Sequence, residues 1–312
     1  MGYGNFVMYY HEPVLWEAAV EAVFVRSDGV YLDATIGGGG HACALLSRLG
    51  PKGRLIGIDQ DVDALRAARQ RLASFGKRVH LLHGNFADVD ILLQQLGVEF
   101  LDGVLADLGV SSYFLDSPER GFSFRVPGPL DMRMDRSRPL TAELVVNTYS
   151  LHELERLIRR YGEEPRARRI ARSIVAKRPL RDTMQLRHAI EAVVPEPERL
   201  QTLARVFQAI RIEVNDELGA LERFLVSIAH WVRPGGRLVV LSYHSLEDRL
   251  VKRLMRYGNP EGRPIRDLKG VLRRPWRMLT EKPVRPDPLE VARNPRARSA
   301  RMRVAERLED SP

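Results

Sequence analysis

Asp33-Ala34-Thr35-Ile36-Gly37-Gly38-Gly39-Gly40-His41 is the stretch on which the reading of this chain turns. Val30 to Thr35 reads as a buried strand. His41 to Leu49 reads as a helix, stopped by Gly50-Pro51. A strand that enters a glycine-rich turn and leaves as a helix brings backbone N–H groups close to a ligand, because glycine has no side chain in the way and a helix N-terminus has free donors. Gly39 and Gly40 start the helix and are the close-contact positions. Asp59 follows about 20 residues on, at the tip of the next strand, where a carboxylate can accept from two ribose hydroxyls. The plainer alternative is a flexible turn with a capping acid.

Working outward, strands and helices alternate. Arg54–Ile58 reads as a second strand, Asp61–Phe75 as a helix capped at Asp61 or Asp63, and Val79–Leu82 as a third strand. Asp88–Leu96 is a helix ended by Gly97, and Asp102–Leu108 a fourth strand. Such alternation implies right-handed crossovers and a parallel-type sheet with helices on both faces. From about Tyr113 no buried strand is legible. Helix starts appear instead: a capping box at Ser150-Leu151-His152-Glu153, Pro165 in a first turn, and Asp182-Thr183 as a cap. Alternation resumes with a helix over Glu217–Trp231, a Pro234-Gly235-Gly236 turn and a strand over Arg237–Ser242. The reading is an α/β, Rossmann-like domain formed by residues 1–112 and 205–312, with an all-helical insertion at 113–204 as a substrate-recognition domain.

With 312 residues, 44% hydrophobic and 29% charged, the chain can bury a core, and about 150 residues per domain suggests two domains. No apolar run is long enough to span a membrane, and the N-terminus lacks a secretory pattern. Gly2 follows Met1, but Phe6 stands where myristoylation asks for Ser or Thr. Met8 is a second candidate start. The single Cys43 cannot form an internal disulfide; it fits a cytoplasmic protein and reads as a packing residue. The charge is uneven. Residues 1–251 hold 32 Lys+Arg and 32 Asp+Glu, whereas 252–312 hold 17 and 8, the whole net charge of +9. A basic segment favours a polyanion, so Arg273, Arg274, Arg277, Arg296, Arg298, Arg301 and Arg303 are expected on an RNA backbone. The competing expectation is that the segment packs on the domain, its arginines paired with acids.

Two further motifs end strands. Asp107, in Ala106-Asp107-Leu108-Gly109-Val110-Ser111-Ser112, points into the same crevice as Gly39 and Asp59, where it can accept from a substrate amine or touch the cofactor. In Leu241-Ser242-Tyr243-His244-Ser245, Tyr243 or His244 can stack on a base, or Ser245 with Asp248 simply starts a helix. His80 and His83 fall on opposite faces of a strand and no Cys/His cluster exists, so no metal is expected. Phe114, Phe122 and Phe124 with Arg120 and Arg125 form either a base-contacting rim or an anchor for the insertion; Met132 and Met134 read as core. Asp33 favours S-adenosylmethionine over a nicotinamide dinucleotide, since it can hold the ammonium of a methionine moiety.

These residues, together with Glu119-Arg120-Gly121-Phe122-Ser123-Phe124, Gly128-Pro129-Leu130-Asp131-Met132-Arg133-Met134, Val214-Asn215-Asp216-Glu217-Leu218 and Asn294-Pro295-Arg296-Ala297-Arg298-Ser299, resemble the RsmH/MraW family of bacterial 16S ribosomal RNA cytosine-N(4) methyltransferases, nearly from end to end. The resemblance implies a cofactor set of Gly39, Gly40, His41, Asp59, Phe86 and Asp107, with Phe86 against the adenine. Seven residues after Asp107, where part of the family carries glutamine or histidine, this chain has Phe114; it is carried with the set as a departure. The implied activity is methylation of the 4-amino group of a cytidine in the decoding region of the small ribosomal subunit, with S-adenosyl-L-methionine as cofactor. Because a cytosine amine is a poor nucleophile, an acceptor is expected beside it; Asp107 is the candidate catalytic residue, the alternative being a cofactor ligand only. The rival readings are a nicotinamide oxidoreductase and a non-catalytic ribosome-assembly factor that binds RNA.

Overall fold

A computed structural model describes residues 13–110, 112–267, 269, 270 and 272–309. Gly2, Phe6, Met8, the His11-Glu12 pair and Ser111 lie outside the described residues. The chain divides into two compact units, residues 1–109 with 218–312, and residues 110–217.

The first unit is built on seven strands: β1 (Val30–Asp33), β2 (Arg54–Asp59), β3 (Val79–His83), β4 (Leu101–Asp107), β5 (Val232–Ser242), β6 (Trp276–Met278) and β7 (Arg301–Arg307). Their order is β3-β2-β1-β4-β5-β7-β6. The first five are parallel, and β7 returns antiparallel between β5 and β6. Helices α1 (Trp16–Val23), α2 (Gly40–Arg48), α3 (Val62–Arg71) and α4 (Val89–Gln95) accompany the early strands. β4 is buried from Leu101 to Ala106, as expected for a central strand covered on both faces. One apolar cluster joins Leu32, Ile56, Val104 and Val240 to Phe224 and Ile228; a second joins Tyr31, Leu55 and Leu105 to Val20, Leu45 and Leu65. Asp61, not Asp63, caps α3 by accepting the Asp63 N–H at 3.1 Å, and the helix ends at Arg71, before a 3-10 stretch from Ala73.

The strands β6 and β7 build part of the basic stretch 252–312 into the sheet, which fits the expectation that this stretch packs on the domain. β7 hides its signal because arginines occupy positions where apolar residues would mark a strand. Met302 and Val304 pack on Val239 and Leu241, while Arg303 is buried on the opposite face. Its guanidinium holds the Asp248 carboxylate with two bonds, of 2.6 and 3.1 Å. Arg301 stands 3.8 Å from the same acid. Arg277 and Arg237 share Glu306, and Arg307 donates to the Ala229 carbonyl at 2.8 Å.

The second unit is helical: α5 (Ser112–Asp116), α6 (Ala142–Thr148), α7 (Leu151–Gly162), α8 (Ala167–Ala176), α9 (Thr183–Glu191) and α10 (Arg199–Asn215). Ser150 and Glu153 form the expected capping box of α7, and Asp182 caps α9 through the Gln185 N–H at 2.8 Å. Val145, Leu154, Ile158, Ile170, Ile174, Leu186, Ile190, Val206 and Ile210 form its core. Residue 204, where the sequence reading ended the insertion, lies inside α10; that helix belongs to the second unit through Asn215, because its buried face continues to Val214. Met132 and Met134 are core, and Asn215 ties their segment down, accepting the Met134 N–H and donating to the Met132 carbonyl, both at 2.8 Å. The first unit then resumes with α11 (Glu217–Trp231), whose first residue still groups with the second unit, α12 (Ser245–Tyr257) and α13 (Pro288–Arg293).

Candidate cofactor site

The carboxyl ends of β2, β1, β4 and β5 lie side by side in the sheet and end in Asp59, Asp33, Asp107 and Ser242-Tyr243. In an open parallel sheet this edge is where ligands sit. Asp33 is buried, with one oxygen 3.2 Å from the Thr35 N–H that it accepts. Burial pushes its pKa up to about 7, and the charges of Asp107 and Asp59 add to the rise. Asp59 accepts from the N–H of Gly37 and of Asp61, both at 2.9 Å, yet burial still holds its pKa up at about 6. Each carboxylate oxygen of Asp59 retains a lone pair for a ligand hydroxyl.

Asp107 is braced from three sides. The Thr35 hydroxyl accepts its backbone N–H at 2.6 Å, fixing the end of β4 against the glycine turn. The Tyr243 hydroxyl donates to Oδ1 at 2.7 Å, and His41 Nδ1 stands 3.8 Å from Oδ2. The Asp107 pKa is raised by burial, against the opposing pull of His41 and Tyr243. Tyr243 is itself pushed well above the ordinary phenol value by burial and by Asp107. Its hydroxyl therefore stays protonated and keeps donating.

The glycine turn divides its work. Gly39 has φ 77°, left-handed, where its missing side chain also leaves room for Leu72 and Ala68 of the α3 region. A side chain at Gly40 would strike Pro13. Both glycines are thus required by the fold, whatever the ligand. Gly37, at φ 50°, has room for a side chain beside the Thr35 carbonyl and gives its N–H to Asp59. The Gly40, His41 and Ala42 N–H groups start α2 and have no acceptor within the helix. His41 is buried, its Nε2 3.1 Å from the Val14 carbonyl.

Phe86 follows Asn85, whose side chain accepts the Ala87 N–H at 2.9 Å; the Phe86 ring meets Phe224 edge-on with centroids 5.3 Å apart. Phe114 falls in the other unit. It is 6% exposed, with the Arg120 guanidinium 4.4 Å from its ring centroid and Phe122 at 4.9 Å. Its ring serves the core of that unit, which favours the anchor reading of the aromatic run. His244, not Ser245, caps α12, in a reciprocal box with Glu247. Asp248 serves Arg303 rather than the helix start. Two braces were missed from sequence: the Thr35 hydroxyl, and the Tyr243–Asp107 bond. The second had a signal, since neighbouring strands β4 and β5 end in those residues.

The crevice therefore presents carboxylates from three adjacent strands. It suits a ligand that carries positive charge and a pair of hydroxyls, and it repels a pyrophosphate. The MraW methylase family matches residues 8–308. The chain is 50% identical to the ribosomal RNA small subunit methyltransferase H of Symbiobacterium thermophilum, over 96% of this chain and 98% of that protein. It is 49% identical to the protein of that name from Geobacter sulfurreducens, over 96% and 99%, and 44% identical to that from Bacteroides thetaiotaomicron, over 96% and 97%. By sequence along nearly its whole length, the chain belongs to the MraW methylase family.

Proposed function

We propose that this protein transfers a methyl group from S-adenosyl-L-methionine to the 4-amino group of a cytidine in the decoding region of 16S ribosomal RNA. The observation that carries the reading is the row of Asp59, Asp33 and Asp107 around the glycine turn, in a chain of this family. The acids fit the cofactor's chemistry: Asp33 faces an ammonium, Asp59 the ribose hydroxyls, and Phe86 the adenine, with the N–H groups of Gly40 and His41 completing the cradle behind Gly39. The same acids disfavour a nicotinamide dinucleotide. Bound, the cofactor supplies an electrophilic methyl on a sulfonium.

The remaining work belongs to the chain. The lone pair of a cytosine amine is delocalised into the ring, so the amine is a poor nucleophile. Asp107 Oδ2, left over by Tyr243, accepts from the amine, favours a pyramidal nitrogen and takes up the developing positive charge. Tyr243 and the Thr35 hydroxyl keep that oxygen in place, and much of the acceleration comes from such positioning. With the cofactor bound, Asp107 or solvent would take the proton that the amine gives up on methylation. Phe114 is left out of the cofactor set because of its core position. In this reading residues 1–112 and 205–312 carry cofactor binding, with the return point moved to the end of α10, and the helical unit recognises substrate. Methyl transfer from labelled cofactor to naked 16S RNA, small subunits and whole ribosomes, followed by nucleoside analysis, tests it. Label in N(4)-methylcytidine is the expected result; label in any other nucleoside, or none, overturns it.

A further inference from the structure

Residues 165–181 contain seven Lys and Arg and no Asp or Glu. Two of the seven work inside the helical unit: Arg166 grips Glu198, and Arg178 donates to the Val146 and Tyr149 carbonyls. Arg168, Arg169 and Arg172, on the solvent side of α8, are exposed, and their guanidinium groups make no ion pair or hydrogen bond among the described residues.

This arrangement works against the helix that carries it. Arg168 and Arg172 are like charges four residues apart, and Arg169 stands three before Arg172, so the three repel on one face. Arg168 and Arg169 also lie in the first turn, where the helix dipole disfavours cations and which contains no acid; Glu164, just before it, is buried and turned to Arg166 and Arg205. The preceding helix shows what a solubilising surface needs: α7 mixes signs and pairs Glu155 with Arg159 at 3.1 Å. α8 forgoes such pairing, although its buried face of Ala167, Ile170, Ala171 and Ile174 is an ordinary core face.

Resting on the proposed function, we propose that the outward face of α8, through Arg168, Arg169 and Arg172, docks the phosphate backbone of the ribosomal RNA substrate. Arginine matches phosphate with paired donors. A protein partner would call for an apolar centre, and the exposed positions of α8 offer only these arginines and Ala176.

The test uses the full-length chain and the triple variants R168A/R169A/R172A and R168K/R169K/R172K. Binding to naked small-subunit RNA and to intact small subunits is titrated across salt, beside cofactor affinity and Tm. The alanine variant should bind naked RNA roughly tenfold or more weakly, with a salt slope shallower by about 2–3, since each phosphate neutralised contributes about 0.7–0.9. Its cofactor affinity should hold, and its Tm should hold or rise, since alanine suits a helix and the repulsion is gone. The lysine variant should keep most of the slope. An unchanged slope in the alanine variant overturns the proposal. So does lost binding to subunits with naked RNA unaffected, which would indicate an acidic protein partner. If the alanine variant loses its fold, a lysine variant that is folded but weak on RNA also overturns it, because charge would then not be what is read. Failure of the underlying function shows separately, as wild-type protein that moves no methyl to small-subunit RNA.

Discussion

Residues 252–309 and helix α8 are both rich in arginine, and the fold treats them oppositely. In the first region Arg301 and Arg303 converge on Asp248, Arg277 meets Glu306, and Arg307 bonds the carbonyls of Ala229 and Leu308. In the second, three arginines face solvent with no acid beside them. The region with the larger net charge therefore has the more internal cations. Net charge is a sum over residues, whereas availability to a polyanion depends on pairing, which only tertiary contacts set. Arg273 and Arg298 remain exposed in the C-terminal region, so it keeps some basic surface. Its strongest contacts are nonetheless structural.

The comparison breaks first at Arg303. Arg303→Ala leaves the half-buried Asp248 beside only the more distant Arg301; removing one partner of a fully buried pair costs about 3–5 kcal/mol, and with Asp248 partly in solvent the loss should fall toward the lower end. Chemical denaturation should show that loss, with the salt slope of RNA binding unchanged. A stable variant with a flattened slope would reverse the assignment of the two regions.

Next in size is a charge that the fold leaves to the reaction. Asp107→Asn should slow single-turnover methylation on the order of 100-fold, well beyond any loss of cofactor affinity. Full recovery at saturating cofactor would reduce Asp107 to a cofactor ligand.

Asp33 and Asp59 give a smaller effect with a defined sign. Their pKa values are raised to about 7 and about 6, so the free protein holds protons there at mildly acid pH. An ammonium beside Asp33 favours its ionised form, so binding expels the proton. Cofactor affinity should accordingly rise from pH 5 to 7, by about tenfold per unit for each proton released, and level off above pH 7. Asp33→Asn should weaken binding and flatten this rise. Calorimetry in buffers of different ionisation enthalpy reads the proton count directly, and a wild-type profile flat from pH 5 to 7 would contradict the ionic role.

The smallest effect sharpens the comparison from the α8 side. Arg168→Glu places an acid four residues before Arg172, in the first turn, and should stabilise the helix by about 0.2–0.5 kcal/mol. RNA affinity should fall even as Tm holds or rises slightly, a combination that Arg303→Ala cannot produce.

Elements whose chemistry is local are legible along the chain. The glycine turn between β1 and α2, the acid ending β2, the capping box of α7 and the Asp182 cap were legible because each depends on residues within a few positions. The parallel half of the sheet was legible because its central strands are buried and read as short apolar runs. Only tertiary structure decided three matters. β7 escaped because an arginine paired with an acid on α12 can occupy an inward position, which periodicity scores as surface. That the Phe114 ring enters the core of the helical unit is not announced by its adjacency in sequence to Asp107. The brace of Asp107 by Tyr243 joins residues 136 positions apart, and such a contact exists only once β5 lies beside β4. Side chains that fold by local rules announce themselves in order along the chain; charges and rings whose partners are distant acquire their roles from the sheet order that brings those partners within hydrogen-bonding distance.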